Sequence, residues 1–82
     1  MADVIACDLY DHFEIACMRR EFIELQMQNG ETFRGTAVDL QTKDGREWLF
    51  LDRENLTQIQ LDLREIQNLV FPKTGQSINI TE

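Results

Sequence analysis

The chain contains few of the residues that build chemical sites. Its 82 residues include one histidine, two cysteines and four glycines. The Cys-x-x-Cys and paired-histidine patterns of metal sites are absent, and so is a glycine-rich phosphate loop. His12 is the only imidazole base, and on a helix it would diverge from Cys17 by roughly 140°. We therefore expect no metal, no cofactor and no enzymatic activity.

Long hydrophobic runs are also absent. No segment approaches the roughly eighteen apolar residues that a membrane span requires, and the first residues lack the basic start and apolar run of a signal peptide. Two cysteines in an unexported chain are most simply reduced thiols. The sequence predicts a cytoplasmic protein that makes no membrane contact.

Positive charge is scarce. Fifteen acidic residues against eight Lys and Arg give a net charge of −7 at pH 7. Residues 1–18 contain Asp3, Asp8, Asp11 and Glu14 but no Lys or Arg. This balance argues against direct binding of nucleic acid, because phosphate contacts need clustered cations. It suits a soluble monomer or a protein that binds a basic surface.

A helix is predicted over about residues 9–19. Asp8 is a candidate N-cap, and Arg19 and Arg20 place cations at the negative end of the helix dipole. The helical spacing puts four small or apolar residues on one face: Leu9, Phe13, Ala16 and Cys17.

Strands are predicted after the helix, because the apolar period changes from about 3.6 to 2. Their expected ranges are about 21–28, 31–40, 47–52, 56–63, 65–71 and, as an optional sixth, 76–80. Asn29-Gly30 is expected to supply the two left-handed positions of a tight hairpin turn. Gly35 indicates a bulge or sharp bend. The run around Trp48 is expected to be buried on both faces, with Trp48 in the core.

These elements predict one domain over residues 1–82, mainly β with one N-terminal α-helix. Five or six short strands with tight turns favour a small, strongly bent, Sm-like antiparallel barrel capped by the helix.

The two cysteines are too far apart for a disulfide. Ten helical residues separate the Cα atoms of Cys7 and Cys17 by roughly 15 Å, whereas a disulfide needs about 7 Å or less. We expect Cys17 to be a thiol packed on the core face.

The other side of the helix mixes charge with apolar bulk. Asp11, Glu14, Ile15 and Met18 fall within about 100° of arc. Two interpretations stay open. Ile15 and Met18 are exposed and mark an interface, or the helix lies in a groove that buries one of them.

The motif of the helix has a counterpart in a known family. Its residues are Cys7, Tyr10, Asp11, Glu14, Ala16 and Cys17 in "CDLYDHFEIAC". With "NGETFRGTAVDL" and "LDLREIQNLVFP" later in the chain, the sequence resembles the bacterial Rho-binding antiterminator family from about Ile5 to Ile80.

The resemblance implies an Sm-like barrel that binds transcription termination factor Rho where Rho first grips RNA, and so reduces termination. It assigns partner contacts to Tyr10, Asp11 and Glu14, which match the motif, and less directly to Asp8 and Asp3 in the same acidic segment. The exposed-face interpretation adds Ile15 and Met18. The alternative from fold alone is an Sm-like RNA-binding or ring-forming module.

Overall fold

The computed structural model describes residues 7–54 and 57–80, except for the side chains of residues 7–9. Helix α1 runs from Cys7 to Arg19. It begins two residues before the predicted start, so Asp8 lies inside the helix and its prediction as N-cap is wrong. An acidic residue is favourable both as the N-cap and within the first turn, because both positions lie at the positive end of the helix dipole. Its presence in the sequence therefore does not determine at which residue the helix begins. No helix in the described part of the chain is long and apolar enough to cross a membrane.

The C-terminus of α1 ends in a Schellman motif. The Arg20 N–H donates to the Cys17 carbonyl oxygen (3.2 Å) and the Glu21 N–H to the Ala16 carbonyl oxygen (3.0 Å). Arg20 occupies the left-handed position of the motif with φ 53°. Glycine is the usual residue there, because a Cβ is disfavoured at positive φ.

Replacing Arg20 by Gly is therefore expected to raise the free energy of unfolding by about 0.5–1 kcal/mol, since relief of this strain outweighs the added freedom of the unfolded chain. Urea denaturation measures the change. Arg19→Gly is the matched control, because Arg19 has helical backbone and glycine should lower stability there. A stability loss in Arg20→Gly as large as in the control would show that the left-handed residue carries no strain.

Six strands follow the helix. Their bounds are β1 Phe22–Met27, β2 Thr32–Lys43, β3 Arg46–Asp52, β4 Gln58–Asp62, β5 Ile66–Phe71 and β6 Gln76–Asn79. The optional sixth strand is present and pairs with β5. β2 extends three residues beyond its predicted end, and Leu63, expected in a strand, belongs to a short 3-10 helix, Leu63–Glu65.

The strands form one antiparallel sheet in the order β4-β3-β2-β1-β5-β6. A flat sheet would separate β4 from β5 by four spacings of about 4.8 Å. The 3-10 helix that links them has three residues and rises about 2 Å per residue. The sheet must therefore curve strongly, which agrees with the predicted bent, mainly β fold.

Gly35 is not the site of the predicted bulge. Its pairing with Ile23 is in regular register, and the irregularity in β2 lies between Ala37 and Asp39. Gly35 is instead required by a close approach of β3. A Cβ there would overlap the Asp52 carbonyl oxygen and lie 2.9 Å from the Leu51 Cγ.

The first hairpin turn also differs from the prediction. Gly30 has a positive φ (93°), but Asn29 does not. The Gly30 N–H donates to the Met27 carbonyl oxygen (3.1 Å) and the Met27 N–H to the Glu31 carbonyl oxygen (2.8 Å), as in a three-residue loop with a glycine bulge. The paired left-handed positions occur in the second hairpin, at Asp44 and Gly45.

β3 is fully buried on one face only. Leu49 and Leu51 are completely buried, whereas Trp48 and Phe50 are half-buried, so the prediction of a strand buried on both faces is wrong. Trp48 lies outside the cluster of buried core residues. A single curved sheet has one inner face, and among residues 7–54 and 57–80 no element of comparable size covers the outer face near Trp48.

Buried apolar side chains from the helix and the sheet form the core. Its largest fully buried members are Phe13, Ile23, Leu25, Leu49, Leu51, Leu63, Ile66 and Leu69. α1 packs mainly against β2, and its fully buried Phe13 and Ala16 fix which side of the helix faces outward.

Asp62 is the buried carboxylate at the junction of β4 and the 3-10 helix. Its Oδ1 accepts from the Arg64 N–H (2.9 Å) and its Oδ2 from the Arg46 Nη1 (3.2 Å). The Arg64 Nε also lies 3.7 Å from the Asp62 Oδ1. These contacts compensate the burial of the charge and use two of the chain's eight basic residues.

Candidate protein-binding surface

The outward side of α1 consists of Asp11, Glu14, Ile15 and Met18, and we call these four residues the acidic helix surface. All four are exposed. Met18 retains 79% of its accessible surface and Ile15 retains 42%. Both apolar side chains are therefore exposed, and the alternative of a groove that buries one of them is wrong; their role as an interface stays a prediction.

Large exposed apolar groups are uncommon in the rest of the described chain. Phe22 is the only further one in that part of the molecule. Single exposed apolar residues need no explanation, but two neighbours on one helix face, beside two carboxylates, have the composition of a protein-binding surface.

Tyr10 lies at the border of this surface. It is half-buried and packs against the core cluster. Its pKa is raised, chiefly by burial and then by the negative charges of Glu14 and Glu47. The phenol therefore stays protonated at neutral pH and can donate a hydrogen bond from an anionic environment.

Cys17 anchors the helix. It is half-buried, packs against the core cluster and is a free thiol. Burial and the nearby charge of Asp39 raise its pKa to about 11, although Arg20 acts in the opposite direction. A nucleophilic cysteine needs a lowered pKa, so this thiol has the properties of a packing residue.

Two carboxylates of this region were not predicted from the sequence. Glu47, on β3, acts on Tyr10, and Asp39, on β2, acts on Cys17. Both lie far from the helix in sequence and reach it because α1 packs on β2, beside β3. No local sequence pattern indicates this contact.

Two predicted contact residues cannot be placed. The side chain of Asp8 and the whole of Asp3 lie outside the described residues. Within the described residues, no group of three or more His, Cys, Asp or Glu side chains could hold a metal ion.

Comparison with known proteins gives the same family as the resemblance based on the helix motif. A family model described as modulator of Rho-dependent transcription termination (ROF) matches residues 4–80. Protein rof of Escherichia coli K12 is 31% identical over 71 residues, which is 87% of this chain and 83% of that protein. Protein rof of Shigella flexneri matches to the same extent.

A solved structure shows the same fold. YaeO of Vibrio cholerae O395, determined bound to magnesium, superposes with a TM-score of 0.74 at 25% identity and covers 88% of this chain and 97% of that one. Together with the family model over nearly the whole chain, this shows that the protein belongs to the ROF family of modulators of Rho-dependent transcription termination.

Proposed function

We propose that this protein binds transcription termination factor Rho through the acidic helix surface, at the region where Rho first binds RNA. Occupation of that region blocks RNA loading and so reduces Rho-dependent termination. The protein acts as an inhibitor in the cytoplasm, free as a monomer, without chemistry, cofactor or direct contact to nucleic acid. Family membership supports the link to Rho.

The observation that carries the proposal is the exposure of Ile15 and Met18 beside Asp11 and Glu14. A surface that binds RNA must be electropositive, because it neutralises phosphates. Carboxylates on a rigid helix can pair with the same cations, and the apolar side chains add buried area that a purely ionic contact lacks.

Tyr10 contributes an aromatic ring at the edge of the surface. Proteins that bind single-stranded RNA stack bases on aromatic or apolar side chains. A tyrosine on the inhibitor can occupy space that a base would otherwise fill, and its protonated hydroxyl remains available as a donor. We propose Asp8 as a further contact, one turn before Asp11 on the same helix.

Competition between the protein and RNA for Rho tests the proposal. Labelled pyrimidine-rich RNA is bound to Rho at low salt, and this protein is titrated in while RNA anisotropy is followed. We expect stoichiometric displacement of RNA that weakens as salt rises, because exposed charges are screened beyond about 10 Å at 0.1 M salt. Formation of a ternary complex with undiminished RNA binding would contradict occupancy of the RNA site.

Two controls address the alternative of an RNA-binding or ring-forming module. The protein alone is mixed with the same RNA, and its mass is measured by sedimentation. Displacement from Rho with no RNA binding by a monomer is the expected pattern. Direct RNA binding by this protein would mean that RNA leaves Rho because it is sequestered. A ring would contradict the proposed monomer and support the ring-forming alternative.

A further inference from the structure

A groove opens where β2 and β3 separate. The ladder between these strands runs as far as Thr36–Asp52. Beyond it, β2 continues to Thr32, whereas the chain after β3 turns away, with the Arg53 N–H donating to the Thr57 carbonyl oxygen (2.8 Å). The space between them has a volume of about 590 Å³ and is lined by Phe22, Thr32, Phe33, Arg34, Arg53 and Glu54.

The backbone of β2 presents free hydrogen-bonding groups to this groove. The Ala37 N–H donates to the Glu21 carbonyl oxygen (3.0 Å) and the Met27 N–H to the Glu31 carbonyl oxygen (2.8 Å) across the β1–β2 pair. Hydrogen-bonded positions alternate in an antiparallel pair. Phe33 and Gly35 therefore direct their backbone N–H and C=O groups toward β1, and Thr32 and Arg34 direct theirs away from it. In the described residues, no strand pairs with Thr32 or Arg34 on that side.

The side chains around this free edge combine aromatic surface with cations. Phe22 is 39% exposed and Phe33 is half-buried. The Arg34 Nε donates to the Glu24 Oε1 (3.0 Å), and the rest of its guanidinium group is exposed. The Arg53 guanidinium has no hydrogen-bond or ion-pair partner among the described residues.

We propose that this groove binds an extended acidic peptide segment, which adds as a strand to the free edge of β2 at Thr32–Gly35. The peptide backbone pairs with Thr32 and Arg34, and its carboxylates meet Arg34 and Arg53. One apolar side chain packs against Phe33, which lies on the core side of the sheet with its partner Leu25. Strand addition to an open sheet edge is an established mode of peptide binding.

A peptide fits this edge better than a nucleic acid. A strand offers donors and acceptors at the spacing of the β2 backbone, and a polynucleotide does not. The net charge of −7 repels a polyphosphate, whereas the two arginines of the groove attract an acidic peptide locally. This binding is independent of the proposed contact between the acidic helix surface and Rho.

Amide hydrogen exchange by NMR tests both the edge and its occupant. In the free protein, the amide hydrogens of Thr32 and Arg34 are expected to exchange faster than those of Phe33 and Gly35. Addition of a blocked peptide of about seven residues that alternates aspartate and leucine should shift the Thr32 and Arg34 resonances and slow their exchange. The same peptide with lysine in place of aspartate is the matched probe and should have no effect.

Variants locate the contact. Arg34→Gln with Arg53→Gln should weaken peptide binding at least about fivefold, because two charge-assisted contacts are lost. Lys43→Gln with Lys73→Gln removes the same charge outside the groove and should bind as the parent does. The proposal would be overturned if both peptides bound equally or if both double variants lost binding equally. It would also be overturned if the peptide protected only the Phe33 and Gly35 amides. The same holds if an oligouridylate of about eight nucleotides caused the shifts and the acidic peptide did not.

Discussion

A variant with Asp11→Lys and Glu14→Lys is expected to bind Rho at least about 100-fold more weakly than the parent protein. Both carboxylates are exposed on α1, and reversal of each replaces an attraction to a cationic partner by a repulsion. Losses of about 1.5 kcal/mol or more per charge are common at interfaces with close charge pairs, and two such losses multiply to this factor. Titration calorimetry at low salt measures the affinity.

The fold should survive these substitutions. Neither side chain contributes to the core, and lysine is a good helix former. We expect an unchanged circular dichroism spectrum and a change in unfolding free energy of about 0.5 kcal/mol or less, as for other exposed sites. Weak binding by a variant with altered spectra would report damage to the fold and would not support the proposed contact.

A matched control separates local contact from overall charge. Glu31→Lys with Glu65→Lys changes the net charge by the same amount at two exposed positions. Both residues lie by the β1–β2 turn, where the Glu65 carbonyl oxygen accepts from the Gln28 N–H (2.9 Å). The turn lies at the Met27 end of β1, whereas α1 connects to the Phe22 end, so the two control positions are remote from the acidic helix surface. Equal weakening by both double variants would mean that Rho responds to total charge and not to the acidic helix surface.

The second large effect concerns stability. Gly35→Ala is expected to lower the free energy of unfolding by about 3 kcal/mol, which for a domain of this size corresponds to roughly 15 °C in melting temperature. The added Cβ meets the Asp52 carbonyl oxygen and the Leu51 Cγ. Asp52 contributes backbone atoms that are held by pairing to Thr36, so the strand itself must move to make room.

Gly75→Ala is the control for this substitution. Gly75 has a φ of 77° and open space around its Cβ position, whereas Gly35 lacks the positive φ and is crowded. The control should lose only about 1 kcal/mol, through strain of the backbone. Thermal unfolding of both variants distinguishes the two causes, and a loss at position 35 no larger than at position 75 would show that β2 and β3 separate easily.

Short-range patterns predicted much of this molecule. The change of apolar period from 3.6 to 2 placed the helix and the strands, because that period depends on which side chains face a common core. The same reasoning separated the anchoring side of α1, with Phe13 and Cys17, from the side that carries Asp11 and Glu14. The predicted element boundaries were shifted at Asp8 and Asn29, because capping and turn residues allow more than one local conformation.

Other features depend on contacts between segments that are distant in sequence. The sequence by itself determined the fold class, the acidic character and the motif that places the chain in its family, because these follow from composition and local order. The tertiary structure decided that Ile15 and Met18 stay exposed, that Glu47 and Asp39 approach Tyr10 and Cys17, that β3 requires a glycine at position 35, and that β2 keeps a free edge. The physical reason is that burial, charge proximity and strand pairing are properties of pairs of segments, and a one-dimensional pattern describes one segment at a time.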